Sequence, residues 1–429
     1  MKISTQPYKG ARDFYPEDKA IQNWMFDKWR QVVESYGYVE YDAPILEPTD
    51  LYLIKGCEEI IKEQTYTFKD RGDRSVTIRT EMTPSVSRMV AGRRQELAYP
   101  ARWYSIPNLW RYERMQRGRL REFWQLNVDM FGIANDMAEI EMIQIIDGLF
   151  QTFKAKRSSY TIKINSRLLI NEILKQLNLE EDKSAKVVRL IDKRNKMNDS
   201  EFSKLLIDIC ANAEIAKKII DMLGIKDVSR LPAELIENPS ILSLTKIINT
   251  LKSQGVLNVE FDITLMRGFD YYSDIVFEVF DNNPANNRSV LGGGRYDGLV
   301  GQMGVEPVPT IGFAVGDVVF KDFLETHGLI PKIEISCELT VLIRDEQSID
   351  LAQKIAQDLR DSGIRVSVDF SGRKIDKQIK SAVKNGVRFI LFVGLEDSNS
   401  EAYTLKNMKT GKEEKHSIER VSSIVTDGR

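Results

Sequence analysis

The chain has 429 residues, a length that at about 150 residues per domain gives about three structural units and excludes a disulfide miniprotein or a single small binding module. Its 61 Lys and Arg stand against 63 Asp and Glu, so no global basic field exists and any nucleic-acid contact must be local. Apolar residues make up 42% of the sequence, and no run nears the roughly 18 apolar residues of a membrane span.

Met1 to Gly10 has no apolar stretch after Lys2 and thus no export signal, which leads to the expectation of a cytoplasmic protein. Ile21 to Tyr36 places Trp24, Phe26, Trp29, Val32 and Val33 near helical spacing, and Gly37 stops that helix. The rest of the first third reads as strands and turns. Tyr160 to Asn165 is a short strand and Leu168 to Leu177 a helix. Residues 178–255 turn rich in Lys, Glu and Leu, a helical insertion between two halves of a β-rich core, since strand text resumes at Val259 to Leu265. A helix carrying Phe320, Phe323 and Leu324 leads to a boundary loop, Gly328 to Pro331. From Glu338 strands (ELTVLIR, RVSVDF, RFILFVG) alternate with helices (Gln347 to Ser362, Lys374 to Asn385), the pattern of an α/β unit with a mostly parallel sheet.

Cys57, Cys210 and Cys337 are too scattered for a disulfide framework or a zinc site. His327 and His416 are the only histidines, so a catalytic triad would have to use one of them; a surface or capping role is the plainer reading.

The informative strands have charged hidden faces. In Trp124 to Phe131 the period of two sends Leu126, Val128 and Met130 one way and Gln125, Asn127 and Asp129 the other. In Thr77 to Thr83 it groups Thr77, Arg79, Glu81 and Thr83, and in Asn108 to Glu113 it groups Arg111 with Glu113. Any one such strand is explained by a solvated outer face. Three of them, flanked by Trp103, Trp110, Phe123 and Trp124, suit a cleft for a planar, anionic ligand. Leu265 to Glu278 adds Arg267 and the pair Tyr271 and Tyr272. Leu291 to Leu299 adds three successive glycines, which permit a close approach of backbone but form neither a P-loop nor a dinucleotide fingerprint.

GARDFYP (Gly10 to Pro16), YDAPILEPTDLY (Tyr41 to Tyr52), RTEMTP (Arg79 to Pro84), RYERMQRGRLREFWQLNVDMFG (Arg111 to Gly132), RGFDYY (Arg267 to Tyr272), Gly292 to Leu299 and IGFAVG (Ile311 to Gly316) follow one another as in the histidyl-tRNA synthetases, which the chain resembles over essentially its whole length. The resemblance implies an α+β, class II synthetase fold: an antiparallel sheet flanked by helices over residues 1–330, interrupted by the helical insertion, and an α/β anticodon-binding domain over 335–429. It also implies ATP with Mg2+, L-histidine and tRNA(His) as ligands, and a homodimer formed through the segment containing Pro44.

The implied catalytic set is Arg267, Arg111 and Gln125. Attack of a carboxylate on an α-phosphate joins two anions, so fixed cations matter more than a base; the resemblance puts Arg111 on that phosphate and Arg267 between it and the substrate carboxylate. Glu81, Thr83 and Gln125 would receive the α-ammonium, and Asp129 with Tyr271 and Tyr272 the imidazole. Glu113 would take the adenine amino group or a metal, Phe123 would stack on adenine, and Arg119 would hold the triphosphate. In the basic loop Arg114 to Arg121, Gln116, Arg117 and Arg119 would meet the acceptor end of the tRNA; without the resemblance this loop is a solvated hairpin tip.

Two departures stand out. The family's third motif usually has an arginine three residues after the glycine ending its strand, whereas Gly316 is followed by Asp317, Val318 and Val319, with Lys321 nearby but out of register. Met115 stands where proline is common. The alternative reading is the non-catalytic, synthetase-like regulatory subunit of ATP phosphoribosyltransferase, which usually lacks the anticodon-binding domain and much of the catalytic pattern.

Overall fold

The computed structural model describes residues 3–53, 64–194, 197–266, 271–286, 288–333, 337–397 and 400–427. The chain divides into two compact units, one ending at Pro331 and the other starting at Lys332.

The first unit is built on a sheet of nine strands among the described residues. In spatial order they are Val39–Glu40, Ala101–Ser105, Glu122–Phe131, Thr310–Gly316, Ser289–Arg295, Ile275–Asp281, Tyr160–Ser166 and Val259–Phe261, with Asn108–Trp110 paired to the start of Glu122–Phe131. Pairing is antiparallel except at the two edges, where Val39–Glu40 runs parallel to Ala101–Ser105 and Tyr160–Ser166 parallel to Val259–Phe261. Leu126, Val128, Met130, Ile311, Phe313 and Val315 enter one core with the helices Pro16–Ser35, Met137–Thr152 and Asp317–Thr326. Trp29 packs edge-on to Phe320 at 5.5 Å between ring centroids, and Phe150 to Phe323 at 5.0 Å. The one arginine that this face receives from the glycine-rich strand, Arg295, is neutralised by Glu139 of the Met137–Thr152 helix, with Nε 2.5 Å from its Oε1.

The helices Thr83–Gly92 and Met137–Thr152 were not expected. Met137–Thr152 buries Ile140, Met142, Ile143, Ile145, Ile146, Leu149 and Phe150. Burial on nearly all sides erases the 3.6-residue periodicity by which a helix is read from sequence. Between Tyr160–Ser166 and Val259–Phe261 the chain is helical, from Arg167–Gln176 to Pro239–Ser253. Several of these helices begin at side-chain caps, such as Asn198 on the Glu201 amide and Asn212 on those of Glu214 and Ile215.

In the second unit Leu339–Ile343 lies between Val366–Asp369 and Phe389–Val393, all parallel. Helices Ile349–Asp361 and Ile375–Lys384 pack on opposite faces. An antiparallel hairpin, Tyr403–Asn407 with Glu413–His416, extends the sheet; its charged sequence gave no strand signal.

Candidate active-site cleft

On the face opposite the core, the strand register lines up Asp129, Gly312, Gly294 and Val276 in one row and Asn127, Ala314, Gly292 and Glu278 in the next. In these two rows the central strands therefore present only Gly and Ala, between Asp129 and Asn127 on one side and Val276 and Glu278 on the other, and the sheet opens into a trough floored by backbone. A Cβ on Gly312 would lie 2.3 Å from Asp129 Oδ1, and one on Gly294 2.6 Å from the Ile275 carbonyl oxygen. The small residues are thus a steric requirement of the cleft, whose volume is about 370 Å³.

The structure brings most of the sequence-predicted residues into this cleft: Glu81, Thr83, Arg111, Glu113, Arg119, Phe123, Gln125, Asp129, Tyr271 and Tyr272 all line it. Arg267 lies outside the described residues, as do Gly268, Phe269, Asp270 and Cys57. Gln116 and Arg117 form the exposed turn of the hairpin beside the cleft, closed by paired backbone hydrogen bonds between Gln116 and Arg119.

The strand expected over Thr77 to Thr83 ends at Ile78, because Thr83 and Pro84 begin a helix. The four residues grouped by alternation therefore separate. Thr77 bonds to Thr49 and Thr67, and Arg79 is buried against Asp42 at 2.8 Å and the Ala43 and Asn108 carbonyls. Only Glu81 and Thr83 of the four reach the cleft. His327 pairs with Asp281 at 2.8 Å and is not a cleft residue. Lys321 is engaged with Glu325 one turn along its helix, 3.4 Å away.

Arg111 is held by its Nε donating to the Thr80 carbonyl at 3.0 Å, and its guanidinium lies 5.4 Å from the centre of the Phe123 ring. Asp129 is buried, and burial pushes its carboxyl up to about 7, offset in part by the Tyr296 hydroxyl, which donates to its Oδ1. Tyr271 and Tyr272 complete an aromatic wall with Tyr296, at 5.8 and 6.4 Å between ring centroids. Gly10, at φ +90°, accepts from the Arg121 and Glu122 amides and pins the base of the hairpin. Arg12 Nη2 meets Asp317 Oδ2 at 2.7 Å while Asp317 Oδ1 accepts from the Trp124 amide at 3.0 Å. The buried aspartate that follows Gly316 is therefore a structural tie between the hairpin strand and the Asp317–Thr326 helix.

A family model described as histidyl-tRNA synthetase matches residues 10–317, and one described as an anticodon binding domain matches residues 337–427. The chain belongs to the histidyl-tRNA synthetase family. The histidine–tRNA ligase of Leptospira biflexa is 40% identical over 413 residues, 95% of this chain and 94% of that protein. That of Thermococcus kodakarensis is 34% identical over 430 residues, 97% and 96% of the two. The crystal structure of the histidyl-tRNA synthetase from Nostoc sp. PCC 7120 shares the fold, with TM-score 0.84 at 22% identity and full coverage of both chains. Among the described residues no helix is long and apolar enough to cross a membrane.

Sequence reasoning missed Tyr296, Glu278 and Arg288, which also line this cleft. For Tyr296 a signal existed: it continues the alternation Gly292, Gly294 onto the open face. Glu278 gave a weaker one, as a carboxylate in the middle of the apolar run Ile275 to Phe280.

Proposed function

We propose that the protein is a histidine–tRNA ligase, activating L-histidine with ATP to histidyl-adenylate and transferring the acyl group to the 3′ end of tRNA(His). The observation that carries this reading is the single trough in which Glu81, Thr83, Gln125 and Asp129 share a floor with Arg111 and Phe123, in a chain of this family. The histidine carboxylate oxygen attacks the α-phosphorus, a new acyl-phosphate bond forms, and the bond to the β-phosphate breaks with its electron pair leaving on pyrophosphate. Arg111 stabilises the charge that accumulates at the α-phosphate, with Arg267 assigned beside it on family resemblance. Held by the Thr80 carbonyl, Arg111 needs little reorganisation when that charge appears.

Glu81, Thr83 and Gln125 supply acceptors for the α-ammonium. Asp129, positioned by Tyr296, accepts an imidazole N–H against the Tyr271 and Tyr272 wall, and a pocket of buried polar groups rejects side chains lacking the matching N–H. Phe123 offers its face to adenine. Glu113 and Glu278 have the oxygen donors that Mg2+ takes and would hold the ion, which neutralises triphosphate charge when bound. The exposed Gln116 and Arg117, with Arg119 at the cleft edge, are suited to phosphates of the acceptor end, and the unit over residues 337–427 to the anticodon. Exposed Val39, Ile45 and Leu46, around Pro44, favour a homodimer, and the protein is assigned to the cytoplasm.

The test is exchange of labelled pyrophosphate into ATP. Exchange that depends on histidine, and on no other amino acid, is expected; its absence in folded protein would favour the regulatory-subunit reading.

A further inference from the structure

One corner of the cleft joins two elements far apart in sequence: the Gln116–Arg119 turn and the segment entering the Ser289–Arg295 strand. They meet at Gly118, where an ideal Cβ would lie 3.7 Å from Arg288 Cδ and 3.2 Å from Val319 Cγ2. Arg119 and Arg288 both face the cleft there. The carboxylate near the pair, Glu113, is already engaged, its Oε2 2.8 Å from Arg119 Nε. Asp322, whose Oδ2 would also lie 3.7 Å from that Cβ, forms no ion pair with Arg288, and among the described residues Arg288 has no hydrogen-bond or ion-pair partner at all. Burial, and then the neighbouring Arg119 charge, hold the Arg288 guanidinium below its ordinary value. Two adjacent arginines of which only one is paired with a carboxylate are poorly compensated in the chain alone and well compensated by a polyanion spanning both.

We propose that Arg288 binds the terminal phosphates of the nucleoside triphosphate and forms, with Arg119, a two-arginine clamp on the departing pyrophosphate. The proposal rests on the ligase reading above. The strand Thr310–Gly316 gives way to the helix Asp317–Thr326, and Arg288, just before the Ser289–Arg295 strand, lies with Val319 of that helix against the Gly118 position, so the arginine enters the corner from the segment leading into the facing strand. As the α-phosphorus bond to pyrophosphate breaks, negative charge moves onto the β- and γ-oxygens, which is where this cation sits.

Arg288→Ala and Arg288→Lys in the full chain test it, with thermal melting as the folding control. In histidine-dependent exchange, Arg288→Ala should raise KM for ATP and for pyrophosphate by about 10- to 100-fold, the range of one charged hydrogen-bonding contact. KM for histidine, and transfer from isolated enzyme-bound adenylate to tRNA, should stay within about twofold, because neither involves a triphosphate. Arg288→Lys should recover part of the loss. Calorimetric binding should show ATP weakened and AMP unchanged. Equal weakening of ATP and AMP, unchanged ATP binding, or a loss confined to transfer would each overturn the assignment. Absence of histidine-dependent exchange in the unmodified protein would instead count against the ligase reading, and the comparison of ATP with AMP binding would still decide the role of Arg288.

Discussion

Asp129→Asn separates what the cleft needs from what the fold prefers. A carboxyl that titrates at about 7 when the ordinary value is 3.8 costs the folded state on the order of 4 kcal/mol once ionised. The folded pKa is raised, so the unfolded chain loses this proton first: stability falls as pH rises from about 4 to about 7 and levels off above. Asparagine removes the charge and keeps an oxygen that can accept the Tyr296 hydroxyl. At pH 8 the variant should therefore melt several degrees higher than the parent, a gain of about 2–4 kcal/mol, and the difference should shrink steadily as pH falls towards about 4. Activity should move the other way. A neutral amide accepts the imidazole N–H more weakly than a carboxylate, so KM for histidine should rise by about 10- to 100-fold with KM for ATP little changed. In the parent, KM for histidine should also rise as pH falls through about 7, and this dependence should flatten in the variant. Paired melting scans and exchange kinetics from pH 5.5 to 8.5 measure both. A stability difference that is the same at every pH, or equal effects on histidine and ATP, would show that Asp129 is neither the strained nor the recognising group.

Gly312→Ala should fold with a penalty of about 1–3 kcal/mol and lose most histidine binding, since its Cβ would fall 2.3 Å from Asp129 Oδ1 and 2.8 Å from the Val128 carbonyl; wild-type histidine KM in this variant would show that the trough floor has room to spare. Truncation after Pro331 should spare histidine-dependent exchange and cripple tRNA charging, because each unit has its own apolar core; full charging by the truncated chain would refute the assignment of the second unit. Ile45→Glu should shift the protein towards monomer in sedimentation, given that Ile45 is 54% exposed beside Leu46; an unchanged species distribution would place any dimer interface elsewhere.

What was legible in the sequence was what depends on one strand at a time. Trp124 to Phe131 showed its polar face because alternation is a local property, and the observed strand obeys it. The grouping of Thr77, Arg79, Glu81 and Thr83 failed for the same reason: alternation was extended through a proline-led helix start that ends it. The trough itself could not be read, since it arises from register between strands. Gly292, Gly294, Gly312 and Ala314 become one smooth floor only when Ser289–Arg295 pairs with Thr310–Gly316. Taken alone, the three successive glycines were equally consistent with a bulge. The same distinction bears on the valine at position 319. A motif specifies a residue at a place in the chain, whereas a reaction requires a charge at a place in space. Antiparallel register lets a neighbouring strand meet that requirement from a distant position. A cation missing from one element should therefore be sought first on the segments packed against it, here the residues that lead into the paired strand.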